Sequence, residues 1–399
     1  LLNTNLRWEQ SQTFEVGLDI GFLQNRLSFI LDFYSRRTKD LLTKQALPGY
    51  TGFSDIVTNM GTLRNSGFEA EVKANIINKG GFTWDMTANI TSVANKIISL
   101  PYNNVENNRV GGYEVVADGK FPTKWIAGRQ EGGKLGELVG YRQQHVFKDW
   151  DDVKQHANLR VDEVANLYGP GLADQINPAT GKTYKESSGW QPIEPGDACW
   201  EDINGDNIIN GYDRSVMGNI FPNVTGGFST TFGYKGLSLY ARFDYALGHT
   251  LYNDLKARSL GQYQGQFNII TDVKDMWSEA NPNSDLTKFY YADQLAKKNI
   301  TRSNNASTAA DNNSSRYYEK GDYLALREIT LSYQLPKSLI SKAHLTEASV
   351  YVTGQNLFYI TGYDGVSPEP AVSTTYGRGI DNGRYPTPRT FLFGLSLTF

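Results

Sequence analysis

The segment RTFLFGLSLTF (389–399) decides how the rest of the chain is read. From Phe391 on, every second side chain is large and apolar: Phe391, Phe393, Leu395, Leu397 and Phe399. The residues between them, Leu392, Gly394, Ser396 and Thr398, are mostly small or polar. A period of two puts the two series on opposite faces of a β-strand. Ordering terminal residues costs entropy that water rarely repays, so a greasy, strictly alternating end asks for a different solvent on one face.

The same alternation recurs upstream. Phe14, Val16, Leu18 and Ile20 alternate with Glu15, Gly17 and Asp19, and Leu27, Phe29, Leu31 and Phe33 repeat the pattern. Segments 68–76, 82–90, 224–234, 237–247, 329–335 and 348–360 complete a set of nine strands with the last one. Each is read as about ten residues or slightly more, close to the length of a tilted membrane-crossing strand. The connections alternate too. LQN (23–25), NKGG (78–81), YKG (234–236) and PKSLISKAHLT (336–346) are short, whereas 38–63, 97–221, 249–316 and 361–388 are long. One plain rim and one elaborated rim are the pattern of an outer-membrane up-and-down barrel. A soluble sandwich also alternates, but the polar face here carries mid-strand charges such as Asp32, Glu69, Lys73, Arg242, Asp244 and Glu328. Aromatics at strand ends, Trp84, Tyr234, Phe358, Tyr359, Phe391 and Phe399, read as interfacial anchors.

Composition narrows the function. The net charge of −3 does not suit a nucleic-acid partner. The single cysteine, Cys199, forms no internal disulfide. No apolar run approaches the length of a membrane-spanning helix. HExxH and GxSxG are absent, ATGKT (179–183) lacks the upstream glycine of a P-loop, and the four histidines are scattered without paired spacing. An enzyme is not expected.

Two constellations remain. DINGDNIINGYD (202–213) offers Asp202, Asn204 and Asp206 at positions 1, 3 and 5 of a twelve-residue loop. The Ile208 carbonyl falls at 7, Asn210 at 9 and Asp213 at 12, a spacing of hard oxygens that suits a structural Ca²⁺. Asn207 replaces the glycine of such loops and Asp213 the bidentate glutamate. The alternative is an Asx-rich turn with Asp213 paired to Arg214 and no metal. In the long loops, Trp150, Trp190, Tyr363, Tyr376 and Tyr385, with Arg378, are candidates for binding sugar, because flat rings stack on apolar C–H faces while polar groups meet hydroxyls. Stretches 150–169 and 269–281 read as short helices, and 297–316 as a polar segment of low complexity.

Six ordered stretches resemble the carboxy-terminal half of SusC/RagA-type TonB-dependent outer-membrane transporters. They are LRWEQSQTFEVGLDIGFLQNRLSFILDFYSRRTKDLL (6–42), NMGTLRNSGFEAEVKANI (59–76), WEDINGDNIINGYDRSVMGNIFPNVTGGFSTTFGYKGLSLYARFDYALGH (200–249), YLALREITLSYQLP (323–336), VYVTGQNLFYITGYDGVSPE (350–369) and YPTPRTFLFGLSLTF (385–399). The resemblance implies an all-β, transmembrane, antiparallel barrel of about twenty-two strands, of which residues 1–399 are the last nine. Residues 97–221 and 249–316 are then large extracellular loops on a Gram-negative outer membrane. It further implies a plug and a TonB-contacting segment upstream, a SusD-like surface lipoprotein as lid, and energy from the TonB–ExbB–ExbD complex. Phe399 would be the tag read by the barrel-assembly machinery, and the cargo an oligosaccharide. A peptide cargo, as in RagA-type members, a glycan-binding adhesin barrel that does not transport, and a passive porin are the alternatives.

Overall fold

All nine alternating segments lie side by side in one antiparallel sheet. A computed structural model describes residues 3–47, 49–110, 113–115, 124–126, 128–257, 259–260, 270–289, 313–369 and 379–399. The strands are β1 (Gln10–Phe22), β2 (Leu27–Ala46), β3 (Asp55–Lys79), β4 (Phe82–Ser99) and β5 (Val224–Tyr234). Then follow β6 (Leu237–Leu247), β7 (Tyr323–Gln334), β8 (Glu347–Thr361) and β9 (Thr390–Thr398). They pair strictly in chain order, with β1 and β9 at opposite edges. Among the described residues no helix is long and apolar enough to cross a membrane.

The register turns the alternation of single strands into continuous rows. Across six strands run Trp84, Phe232, Leu239, Leu331, Val352 and Phe393. On the opposite face Ser28, Lys73, Thr87, Ser229, Arg242, Glu328, Gln355 and Thr390 make a polar row across eight. The apolar series is not packed into a dry centre: Phe14 is 71% exposed and Phe393 82%. An exposed, sheet-wide apolar face of this size marks contact with lipid, and the polar face a wet lumen.

β2, β3 and β4 are longer than alternation indicates, at 20, 25 and 18 residues. The connection read as 38–63 is in fact largely paired strand, Leu41 to Ala46 against Asp55 to Gly61. Alternation lapses there because a register shift between Thr38 and Leu41, with Asp40 at φ 56°, interrupts the period while the ladder continues. Turns on the plain rim are tight; Gly80 and Gly81 link β3 to β4 at φ 65° and 79°, a conformation that suits glycine.

The buried apolar residues sit mainly in the long loops. Phe147, Val153, Ala157, Ala165, Leu167, Ile193 and Cys199 form one cluster, and Tyr141, Ala198, Trp200 and Ile209 another. The loops are also stitched to one another. Glu137–Tyr141 pairs with Arg214–Asn219 and with Asn313–Ser314, and Thr250–Asn253 pairs with Tyr318–Lys320 and Ile380–Asp381. Of the two stretches read as helices, 150–169 gives α1 (Trp150–Ala157) followed by short strands, and 269–281 gives a 3-10 turn, Thr271–Asp275. Most of the polar segment 297–316 lies outside the described residues.

Candidate functional site

Where the polar face meets the loops, β7 breaks the period. Arg242 of β6 pairs with Glu328 and Phe243 with Leu326, so Arg327 is an extra residue in a β-bulge. A bulge re-aims a side chain, and Arg327, which plain alternation would send to lipid, reaches groups of the inner face. Its Nε and Nη2 grip both carboxylate oxygens of Asp244, the latter at 3.0 Å. Nη1 donates to Tyr359 Oη at 2.9 Å, and Nη2 to Glu369 Oε1 at 2.6 Å. Tyr359 Oη in turn donates to Glu369 Oε1 at 2.9 Å, and Arg384 Nη2 to the Glu369 carbonyl at 2.8 Å. The guanidinium also lies 5.3 Å from the Tyr359 ring centroid. Burial pushes the Glu369 carboxyl upward, but bonds from Arg327 and Tyr359 and the charges of Arg327 and Arg384 hold it below the ordinary range. Beside this network a groove of ≈ 420 Å³ is lined by Asn89, Ser229, Arg242, Asp244 and Arg327. Tyr359 therefore points into the lumen rather than to the interface.

A second groove, of ≈ 490 Å³, lies in the loops between Trp150 and Trp277, with Lys148, Glu194 and Lys288 around it. The Trp277 indole is fixed by donation from Nε1 to the Lys148 carbonyl at 3.1 Å. Trp150 is 47% exposed and free to meet a ligand face. Gly196, at φ 89°, closes against this wall: a Cβ there would stand 2.6 Å from Trp277. The other candidates go elsewhere. Trp190 packs edge-on to Tyr184 in a cluster with Tyr168 and Leu172, and so holds the loop together. Tyr363 is buried and donates to Asp381 Oδ2 at 2.8 Å; burial, then that carboxylate, raises its phenol far above the usual range. Tyr385 is fully out in solvent at 91% exposure, and Tyr376 and Arg378 lie outside the described residues.

The Asp202–Asp213 loop is built on backbone N–H bonds to its acidic side chains. Asp202 accepts from Gly205, Asp206 and Asn207, Asp206 from Ile208, and Asn210 from Tyr212. Asn207 takes φ 65°, the left-handed backbone its position requires. Asp213 is fully buried and accepts from Ile203 and Asn210 at 2.9 Å. Burial, with the charges of Asp202 and Asp206, pushes its carboxyl up to about 6. Arg214 donates to Tyr141 Oη at 3.2 Å. The donors suit a hard cation, yet the three carboxylates do not converge within 4.8 Å, as His145, Asp152 and His156 do.

An antiparallel sheet with lipid on one side, a polar lumen on the other and a stitched loop assembly at one rim is the wall of an outer-membrane barrel. A family model described as TonB dependent receptor-like, beta-barrel matches residues 2–188. TonB-dependent receptor P3 of Formosa agariphila is 28% identical over the whole of this chain and 35% of its own length. TonB-dependent receptor SusC of Bacteroides thetaiotaomicron is 27% identical over the whole of this chain and 32% of its own. In fold, the chain matches a structure titled as the RagAB peptide transporter with a TM-score of 0.66 at 22% identity, covering 36% of that chain. In sequence over its whole length, and in fold, the chain is thus similar to SusC-like TonB-dependent receptor β-barrels. It spans about a third of the length of the curated relatives it matches.

Proposed function

We propose that this segment forms the wall and outer loops of a TonB-dependent importer that carries oligosaccharides across the outer membrane. The observation that supports a sugar cargo is the loop groove with an exposed Trp150 facing a fixed Trp277 among charged side chains. In this reading a SusD-like lipoprotein seats on the extracellular loops, and strands beyond the edges of β1 and β9 close the barrel around a plug moved by TonB. The test is uptake of labelled oligosaccharides by cells carrying the intact complex, with equilibrium binding to the purified complex. Trp150→Ala is expected to weaken sugar binding about tenfold, the scale of one lost stacking contact. Capture of peptides instead, with no effect of Trp150→Ala, moves the assignment to a peptide importer.

We further propose that the 202–213 loop takes a structural Ca²⁺, which would draw Asp202, Asp206 and Asp213 together. What supports it is the fully buried Asp213 carboxyl among like charges. Chelation should then speed proteolysis within 202–213, and added Ca²⁺ should reverse it. Identical digestion with and without chelator removes the metal.

A further inference from the structure

Scattered in sequence, His145 and His156 meet in space at one oxygen. His145 lies on the strand Gln143–Val146 and His156 on the last turn of α1. α1 is placed by its N-cap: Asp149 accepts from the Asp152 N–H at 2.9 Å, and Val153 and Ala157, four apart, bury one face in the loop core. That leaves Asp152 on the face toward the strand, with Oδ2 held by the Lys148 N–H at 2.9 Å. Its other oxygen, Oδ1, stands 3.2 Å from His145 Nε2 and 2.7 Å from His156 Nδ1. The two imidazoles touch edge to face at 5.2 Å, and all three donor atoms lie within 4.8 Å of one another.

We propose that His145, Asp152 and His156 form a divalent transition-metal site of the Zn²⁺ class. Tetrahedral zinc with bonds of 2.0–2.2 Å places neighbouring ligand atoms roughly 3.3 Å apart; the Asp152 oxygen stands at 3.2 Å and 2.7 Å from the two imidazole nitrogens, which lie within 4.8 Å of each other and would draw in around the ion. Two imidazoles and one carboxylate suit Zn²⁺, Cu²⁺ or Ni²⁺ and not Ca²⁺ or Mg²⁺. Asp152 is 13% exposed, while His145 and His156 are 33% and 43% exposed, which leaves a path for the ion and an open fourth position for water. The bound ion would clamp α1 to the strand beside it and fix the helix that presents Trp150.

The experiment uses the tag-free, full-length protein in detergent, stripped with chelator and titrated with Co²⁺ while the visible d–d bands are followed. The wild type is expected to take up one equivalent more than the His145→Ala/His156→Ala double variant, in a tetrahedral-type spectrum that Zn²⁺ abolishes. Asp152→Asn should lower the affinity by at least about tenfold, the lower end of what even an outer-shell change costs. Both histidines are partly exposed, so the double variant should keep its circular dichroism; if it does not, His156→Gln serves in its place. Equal Co²⁺ uptake and spectra in wild type and folded variant, or no saturable band in the wild type, overturns the site in favour of a hydrogen-bonded histidine–carboxylate cluster.

Discussion

Phe243→Arg is expected to cost the sheet about 2–4 kcal/mol in a bilayer, the depth-dependent penalty for a guanidinium on the lipid face of a barrel. Phe243 lies near the middle of β6 on the apolar face, its ring stacked on Phe228 with centroids 4.6 Å apart. Losing that stack adds about 0.5–1.5 kcal/mol, which Phe243→Leu measures separately because it keeps the site apolar. The matched control is Thr231→Arg. Thr231 faces the lumen directly opposite Asp85 of β4, so a new guanidinium there gains a partner and stays in water. Denaturant unfolding of the full-length protein in lipid vesicles should rank Phe243→Arg far below Thr231→Arg. Equal stability of the two arginine variants would mean the apolar face does not meet lipid, and the membrane assignment would go with it.

Alternation made the sheet legible because lipid on one face and water on the other impose a period of two on every strand. That is why the nine strands, their order and the plain rim follow from residues such as Leu395 and Ser396. It failed wherever the period slips. Arg327 is the sharpest case: counting by twos from Leu331 sends it to lipid, and only the bulge at Leu326–Glu328 turns it inward. The signal was present as the adjacent charged pair Arg327–Glu328 in LREIT, which no regular strand facing lipid accommodates. Slips of this kind hid the extension of β2 and β3, whereas reading strand-end aromatics as anchors misplaces Tyr359, which its odd position in 348–360 already puts on the polar face. The loops were legible only in part, since an irregular core such as Phe147 with Val153 and Ile193 leaves no periodic trace. His145 and His156 escaped for the same reason. An Asp and a His four residues apart on a helix, Asp152 and His156, were the available sign, but the strand that brings His145 to them is a tertiary fact.

The burial pattern ties these successes and failures together. In a soluble protein the sheet would supply the core and the loops would ride on it. Here the strands expose Phe14, Val16 and Leu18, and the loops hold the buried clusters. The sheet is therefore held by its backbone ladder and by the lipid around it, and the loops by their own packing. Polar bonds tie strand ends and loops together: Gly248 donates to Asp322 and Thr361 to the Asp322 carbonyl, and Lys256 bridges Glu319 and Asp364 between two loops. Directional bonds of this kind can be rearranged by a ligand or a lid without unfolding a core.

Arg327→Ala should have the largest effect among these polar links. Arg327 is the node at which β6, β7, β8 and the β8–β9 connection meet, through Asp244, Tyr359 and Glu369. Removing it takes the guanidinium from both carboxylates in a lumen site and leaves Glu369 with Tyr359 as hydrogen-bond donor. A fully buried pair broken this way costs about 3–5 kcal/mol, but Asp244 and Glu369 are each about a third exposed, so about 2–3 kcal/mol of loop docking is the better figure. That converts to a roughly 30–140-fold faster hydrogen exchange or proteolysis across residues 362–369, with the nine-stranded sheet unaffected. Arg327→Lys should recover only part of this, because an ammonium cannot fork onto both oxygens of Asp244 while reaching Glu369. The pH dependence follows from the lowered Glu369 carboxyl. With a folded value below its unfolded one, its contribution is complete above the ordinary glutamate range, about pH 4.3, and fades as pH falls through the lowered value. The connection should therefore stay docked at neutral pH and loosen only in strong acid, and in Arg327→Ala, which leaves only Tyr359 and Arg384 acting on Glu369, that acid transition should shrink. Unchanged exchange at 362–369 in Arg327→Ala would show that packing, not the guanidinium, holds this connection to the wall.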